Sequence, residues 1–119
     1  MNAHLLIAIL EDDASLRRSL IGVVESAGYE AIGFGEARAF LESPLARQPA
    51  CLLLDVEMPD VETFEARDRV AMPVIFMAAE DDARTRQRLA TSGTARRYLR
   101  RPFGATALLD AIRDALREH

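Results

Sequence analysis

The chain has no lysine at all, so its fifteen cations are all arginine. Schiff-base and lysine-nucleophile chemistry are therefore excluded. Histidine is nearly as scarce. His4 precedes the first apolar run and His119 is the last residue, so neither has the setting of a general base. A single cysteine, Cys51, rules out a disulfide framework, and its place inside an apolar run makes it a small core hydrophobe. This suits the cytoplasm, as does an N-terminus without the basic region and cleavage site of a signal peptide. No apolar run is long enough to span a bilayer. A net charge of −4 argues against a dedicated nucleic-acid surface. No internal repeat, low-complexity tract or interdomain linker is present, and 119 residues fit one domain, 1–119, with one good core.

What the chain does have is two apolar runs that end in acids. Leu5 to Leu10 runs into Glu11-Asp12-Asp13, and Cys51 to Leu54 runs into Asp55. A fully apolar run reads as a strand buried on both faces, so each acid should emerge at a strand's carboxyl end. Like charges gathered this way repel one another unless a cation or a proton makes up the difference. Hard carboxylate oxygens suit Mg²⁺, which takes one or two of them and leaves other positions to water and phosphate. The pair thus points to a metal-assisted phosphoryl site. The plainer alternative is that each acid begins a loop or caps a helix.

Strand and helix patterns alternate throughout. Helical spacing covers Ala14 to Ala27, with Gly28 placed to end it, and Tyr29 to Phe34 reads as a strand. Glu36 to Ser43 forms a second helix stopped by Pro44, followed by the strand Cys51 to Asp55. A short helix is expected from Glu62 to Val70, a strand over Val74 to Met77, and a polar helix from Asp81 to Ser92. A brief strand at Arg97 to Leu99 precedes a last helix, Thr106 to Leu116, with Leu109, Ile112 and Leu116 on one stripe. Such alternation implies a doubly wound five-stranded parallel sheet with helices on both faces. In the order 2-1-3-4-5 the first and third strands meet at the switch point, where ligands bind beyond the strand ends. Those are the strands that carry the acids.

The acidic cluster Glu11-Asp12-Asp13, the segment Leu53-Leu54-Asp55 through Met58-Pro59, the run Pro73-Val74-Ile75-Phe76, and Tyr98 to Phe103 occur in an order and spacing that resembles the bacterial response-regulator receiver domain. The resemblance covers essentially the whole chain. Phe34-Gly35, Ala39-Phe40-Leu41 and Arg17-Arg18-Ser19-Leu20 are further similar to receivers that precede a helix-turn-helix output. It implies a flavodoxin-like fold and a phosphoacceptor of two-component signalling rather than an enzyme. A sensor histidine kinase would supply the phosphoryl group, Asp55 would take it, and a downstream output domain or protein would respond. It further implies Mg²⁺ on Asp12, Asp55 and the Glu57 backbone carbonyl, with Glu11 as an outer-shell or longer-reach ligand. Arg101 matches the family's catalytic lysine, while Ala78 and Tyr98 match its switch positions.

Three departures stand out. Ala78 replaces the hydroxyl residue that would hold a phosphoryl oxygen, and Arg101 replaces a lysine with a bulkier planar cation. The segment from Asp60 to Ala71 falls short of the family's third helix by about a turn, with Thr63 in place of a glycine. Glu57 and Glu80 add negative charge beside the site, where they could hinder anionic donors or supply extra metal oxygens; the plainer reading is that they are solvated loop residues. Arg84, Arg86, Arg88, Arg96, Arg97, Arg100 and Arg101 gather late in the chain. The region from Arg84 to Arg117 is accordingly a candidate homodimer face, with Asp110 and Asp114 as cross-partners. Two other functions compete with the phosphoacceptor: a pseudo-receiver that binds partners without phosphorylation, supported by Ala78 and Arg101, and a stand-alone Mg²⁺-dependent phosphohydrolase. The last lacks a readable second nucleophile, general acid or pocket insertion.

Overall fold

Five strands pair into one parallel sheet, β1 (Leu6–Leu10), β2 (Glu30–Phe34), β3 (Cys51–Asp55), β4 (Val74–Ala78) and β5 (Arg96–Arg100), in the order β2-β1-β3-β4-β5. The computed structural model describes residues 5–46, 48–60, 72–79 and 96–118. Three described helices accompany the sheet, α1 (Ala14–Ser26), α2 (Ala37–Glu42) and α3 (Ala105–Glu118). The helices expected over Glu62 to Val70 and Asp81 to Ser92 lie outside the described residues, together with Thr63, Glu80, Arg84, Arg86 and Arg88. The expected strand order and alternation hold for every described element.

β1, β3 and β4 are apolar because both of their faces are covered. Ile7, Ile9, Cys51, Leu53, Ile75 and Met77 point to one side, against Leu20 and Val24 of α1 and Leu108, Ile112 and Ala115 of α3. Ala8, Leu10, Leu52, Leu54, Val74, Phe76 and Ala78 point to the other, against Ala37 and Phe40 of α2. This is the period-2 alternation of a strand, read out on two cores at once. The edge strand β2 is only partly buried, and its Phe34 meets Phe40 edge-on at 5.4 Å between ring centroids.

Local chemistry sets the helix ends. Asp13 caps α1 by accepting from the Leu16 amide at 2.9 Å, the plainer role foreseen for a strand-end acid. Gly28 follows the helix at φ 95°, a conformation that other residues adopt only at a cost. Ser43 is extended at φ −74° and ψ 144°, as the residue before Pro44 must be, and this stops α2. α3 differs from the expected stripe. Leu108, Ile112 and Ala115 are the fully buried positions, with Leu109 and Leu116 only flanking the core. Leucines stand on two adjacent faces of that helix, and the face carrying Leu108, Ile112 and Ala115 is the one buried against the sheet.

α2 lacks a side-chain cap of its own at Glu36. Asp60 supplies it from the loop after β3, accepting from Ala37 N at 3.0 Å and Arg38 N at 2.9 Å. One carboxylate thereby ties the loop beyond β3 to the start of α2, and sequence spacing gave no sign of it.

Candidate functional site

β1 and β3 are hydrogen-bonded neighbours, with Leu10 opposite Leu54, so the residues following them share one end of the sheet. Glu11 and Asp55 are the two buried charged residues there, 1% and 3% exposed, whereas Asp12 is exposed. Carboxylate oxygens of Glu11, Asp12 and Asp55 lie within 4.8 Å of one another. β5 brings Arg101 to the same place. Its Nη2 pairs with Glu11 Oε1 and stands 3.9 Å from Asp55 Oδ2. Its backbone N–H donates to the Ala78 carbonyl at 2.8 Å, extending the β4–β5 ladder by one step. The Arg101–Pro102 peptide that follows is cis.

Glu11 is fully engaged. Besides Arg101 on Oε1, its Oε2 accepts from Asp13 N at 3.2 Å. Its backbone carbonyl accepts from Arg17 Nη1 at 2.7 Å. Arg17 reaches that carbonyl by lying over Gly33 of β2, where an added Cβ would come within 2.9 Å of Arg17 Cγ and Cδ. The glycine is thus the floor on which Arg17 rests. The sequence names Arg17 only within the run Arg17 to Leu20 and Asp60 only as the start of the shortened segment; neither contact is foreseen there.

Asp55 is treated differently. Its Oδ1 accepts from Glu57 N at 2.9 Å, and among the described residues no second N–H group reaches the carboxylate within hydrogen-bond distance. Burial pushes the carboxyl up to about 7; the Glu57 amide opposes this, the charge and hydrogen bond of Glu11 add to it, and Arg101 pulls it back. Burial thus favours the neutral form of Asp55, and a cation at the site would favour the ionised one.

Among the described residues, Asp12 and Asp55 have carboxylate oxygens without a strong donor, while both Glu11 oxygens are taken. The donor set is all oxygen and fits a hard divalent cation held by Asp12 and Asp55. The Glu57 carboxylate is not part of this group. Its Oε2 accepts from Ala79 N at 2.8 Å, across the gap between the loops after β3 and β4. Ala78, at the end of β4, is 2% exposed and belongs to the α2-side core. Tyr98, opposite Phe76 in the middle of β5, is partly buried against the same core. The structure thus gathers Glu11, Asp12, Asp55 and Arg101, places Glu57 and Ala78 at the rim, and leaves Tyr98 two strands away from Asp55 on the α2 side of the sheet.

Cys51 is an inert core residue, its thiol pushed up to about 12 by burial. Asp110 and Asp114, expected as cross-dimer partners, pair within their own helix with Arg113 and Arg117. No helix among the described residues is long and apolar enough to cross a membrane.

A family model described as the response regulator receiver domain matches residues 7–113. Nodulation protein W of Bradyrhizobium diazoefficiens is 38% identical over 112 residues, covering 90% of this chain and 49% of that protein. The transcriptional regulatory protein FixJ of the same organism is 29% identical over 117 residues, covering 94% of this chain and 57% of that protein. The chain spans about half the length of these curated relatives. Among solved structures, a response regulator receiver protein from Burkholderia phymatum superposes with a TM-score of 0.80 at 33% identity over 94% of both chains. A receiver domain protein from Methanospirillum hungatei gives a TM-score of 0.83 at 23% identity over 98% of this chain and 96% of that one, a likeness of fold. A buried acid after β3, acids after β1 and a cation after β5, on a sheet wound in this order, agree with a sequence match over nearly the whole chain: it belongs to the response regulator receiver domains of two-component systems.

Proposed function

We propose that Asp55 accepts a phosphoryl group from the phosphohistidine of a sensor kinase, and that the modified domain signals to an output domain or a separate partner. The observation that carries this reading is the half-satisfied Asp55 carboxylate, buried between Asp12 and the Arg101 guanidinium. In the transfer, an Asp55 oxygen forms a bond to phosphorus as the phosphorus–nitrogen bond to the histidine breaks, leaving an acyl phosphate and a free imidazole. Asp12 and Asp55 would hold Mg²⁺, with the Glu57 backbone carbonyl as a further oxygen. The ion's role is to neutralise charge on the transferring oxygens. Arg101 orients the phosphoryl group from the other side and offsets its charge.

Intact-mass analysis after treatment with acetyl phosphate tests this. One Mg²⁺-dependent adduct is expected on the wild type and none on Asp55→Asn. An adduct that survives Asp55→Asn rejects the assignment.

A second reading, an interaction module that does not switch by phosphorylation, is favoured by two observations. Arg101 is already paired with Glu11, and Ala78 offers no hydroxyl at the end of β4. Failure of the wild type to form any adduct would select it.

A further inference from the structure

Glu57 occupies the turn after β3 with an exposed side chain, yet it makes two hydrogen bonds that bracket the site. Its N–H donates to Asp55 Oδ1 at 2.9 Å and its Oε2 accepts from Ala79 N at 2.8 Å, a residue twenty-two positions later. Ala79 follows β4 directly, and β4 is tied to the loop of Asp55 through Val56 N, which donates to the Met77 carbonyl at 3.0 Å. The peptide unit between Ala78 and Ala79 is thus held on both edges. Its N–H edge carries the Glu57 carboxylate; its carbonyl edge carries the N–H of Arg101, whose guanidinium touches Glu11 and faces Asp55.

A backbone N–H at a strand end, joined to a nucleophile through one residue as Ala79 is to Asp55 through Glu57, is a candidate donor for an oxyanion. Here that donor is filled by an anion of the protein's own. A phosphate oxygen arriving at Asp55 meets both the negative charge of Glu57 and a donor already in use. With alanine at position 78 there is no side-chain hydroxyl in this part of β4, so the peptide unit is what remains to sense the arrival.

We propose that Glu57 is a gate on the phosphoacceptor site: its carboxylate occupies the Ala79 amide in the resting domain, and an incoming phosphoryl oxygen takes that amide over and displaces it. This rests on the phosphoacceptor reading and deepens it. Glu57 then slows small anionic donors, whose phosphoryl oxygen must displace it unaided, while a docked donor protein can move the loop as it binds. Release of Glu57 frees one edge of the 78–79 peptide, whose other edge carries the strand end that holds Arg101.

Glu57→Gln keeps an acceptor for Ala79 but removes the charge, and Glu57→Ala removes both. Two measurements on each protein decide the matter: the rate of adduct formation with acetyl phosphate and Mg²⁺, and hydrogen exchange at the Ala79 amide. In Glu57→Ala the adduct should form about tenfold faster and the Ala79 amide should exchange about tenfold faster, with amides of β1 and β3 unchanged. Glu57→Gln should fall between it and the wild type on both. Equal adduct rates in all three proteins, or an Ala79 amide that exchanges alike in the wild type and Glu57→Ala, overturn the gate alone. Absence of an adduct in all three overturns the phosphoacceptor reading and the gate with it.

Discussion

At the end of β1, Glu11 has a guanidinium on one carboxylate oxygen and a backbone amide on the other. At the end of β3, Asp55 is just as buried but has one amide, and the same guanidinium stands off at 3.9 Å. The two acids are neighbours on adjacent strands, so burial is not what separates them; the supply of donors is. A buried carboxylate with donors on both oxygens is a structural group, and one short of donors is a group with chemistry left to do. Arg101 serves both, anchoring on the first and reaching toward the second.

The largest effect should come from removing that anchor. Arg101→Met leaves Glu11 buried without its cation and should cost about 3 kcal/mol in urea unfolding at neutral pH. A loss below about 1 kcal/mol would mean that Glu11 does not depend on the guanidinium, and the contrast between the two acids would collapse.

Asp55 should behave in the opposite sense. Its folded pKa, about 7, lies above the ordinary 3.8, so between those values the native state keeps a proton that the unfolded chain has lost. Wild-type stability should therefore be unpenalised below about pH 4 and fall as the pH rises through 7. Asp55→Asn carries no such penalty. It should be more stable than the wild type by about 2 kcal/mol at pH 8, with the gain vanishing toward pH 4. A variant less stable than the wild type at pH 8 would show that Asp55 is as well satisfied as Glu11.

Asp60 gives the comparison a third point, an acid in the same loop with two amides and no buried neighbour of like charge. Partial burial raises its carboxyl, but the amides of Arg38 and Ala37 outweigh this and hold it below the usual range. A depressed pKa contributes stability above the ordinary carboxylate range that is lost as the pH falls through the folded value. Asp60→Ala should cost about 1 kcal/mol at pH 7, the worth of a helix cap, and the difference should shrink in acid. A loss unaffected by acid would assign the effect to something other than the cap.

Asp12 should matter least to stability. It is exposed, so Asp12→Ala should change unfolding by less than about 0.5 kcal/mol. Its Mg²⁺ affinity, followed by amide shifts in a titration, should nevertheless drop about tenfold, because one of two open carboxylates is gone. Unchanged affinity would move the metal away from the end of β1.

The difference between what sequence declares and what it conceals follows the same line. Apolar runs that end in Glu11 and Asp55 are legible because both facts are local: the run buries the strand, and the next residue must leave it. Gly28 and Pro44 are legible for the same reason, each acting on its own backbone. The pairing of Arg101 with Glu11, the cap that Asp60 lends to α2, and the bond from Glu57 to Ala79 join residues that only the sheet order brings together. Even with the right order, three acids and an arginine allow many pairings, and only atomic positions choose among them. The buried stripe of α3 escaped for a local reason instead, since its leucines populate adjacent faces and packing against the sheet selects Leu108 over Leu109.

The central claim, that Asp55 is a buried acid poised for a cation while Glu11 is not, can be read directly from the Asp55 side-chain carboxyl carbon by NMR across pH, with and without Mg²⁺. The midpoint should lie near 7 without the ion and fall well below it when Mg²⁺ is added, because the cation favours the ionised form. A midpoint near 4 in both titrations, unmoved by Mg²⁺, would contradict the account.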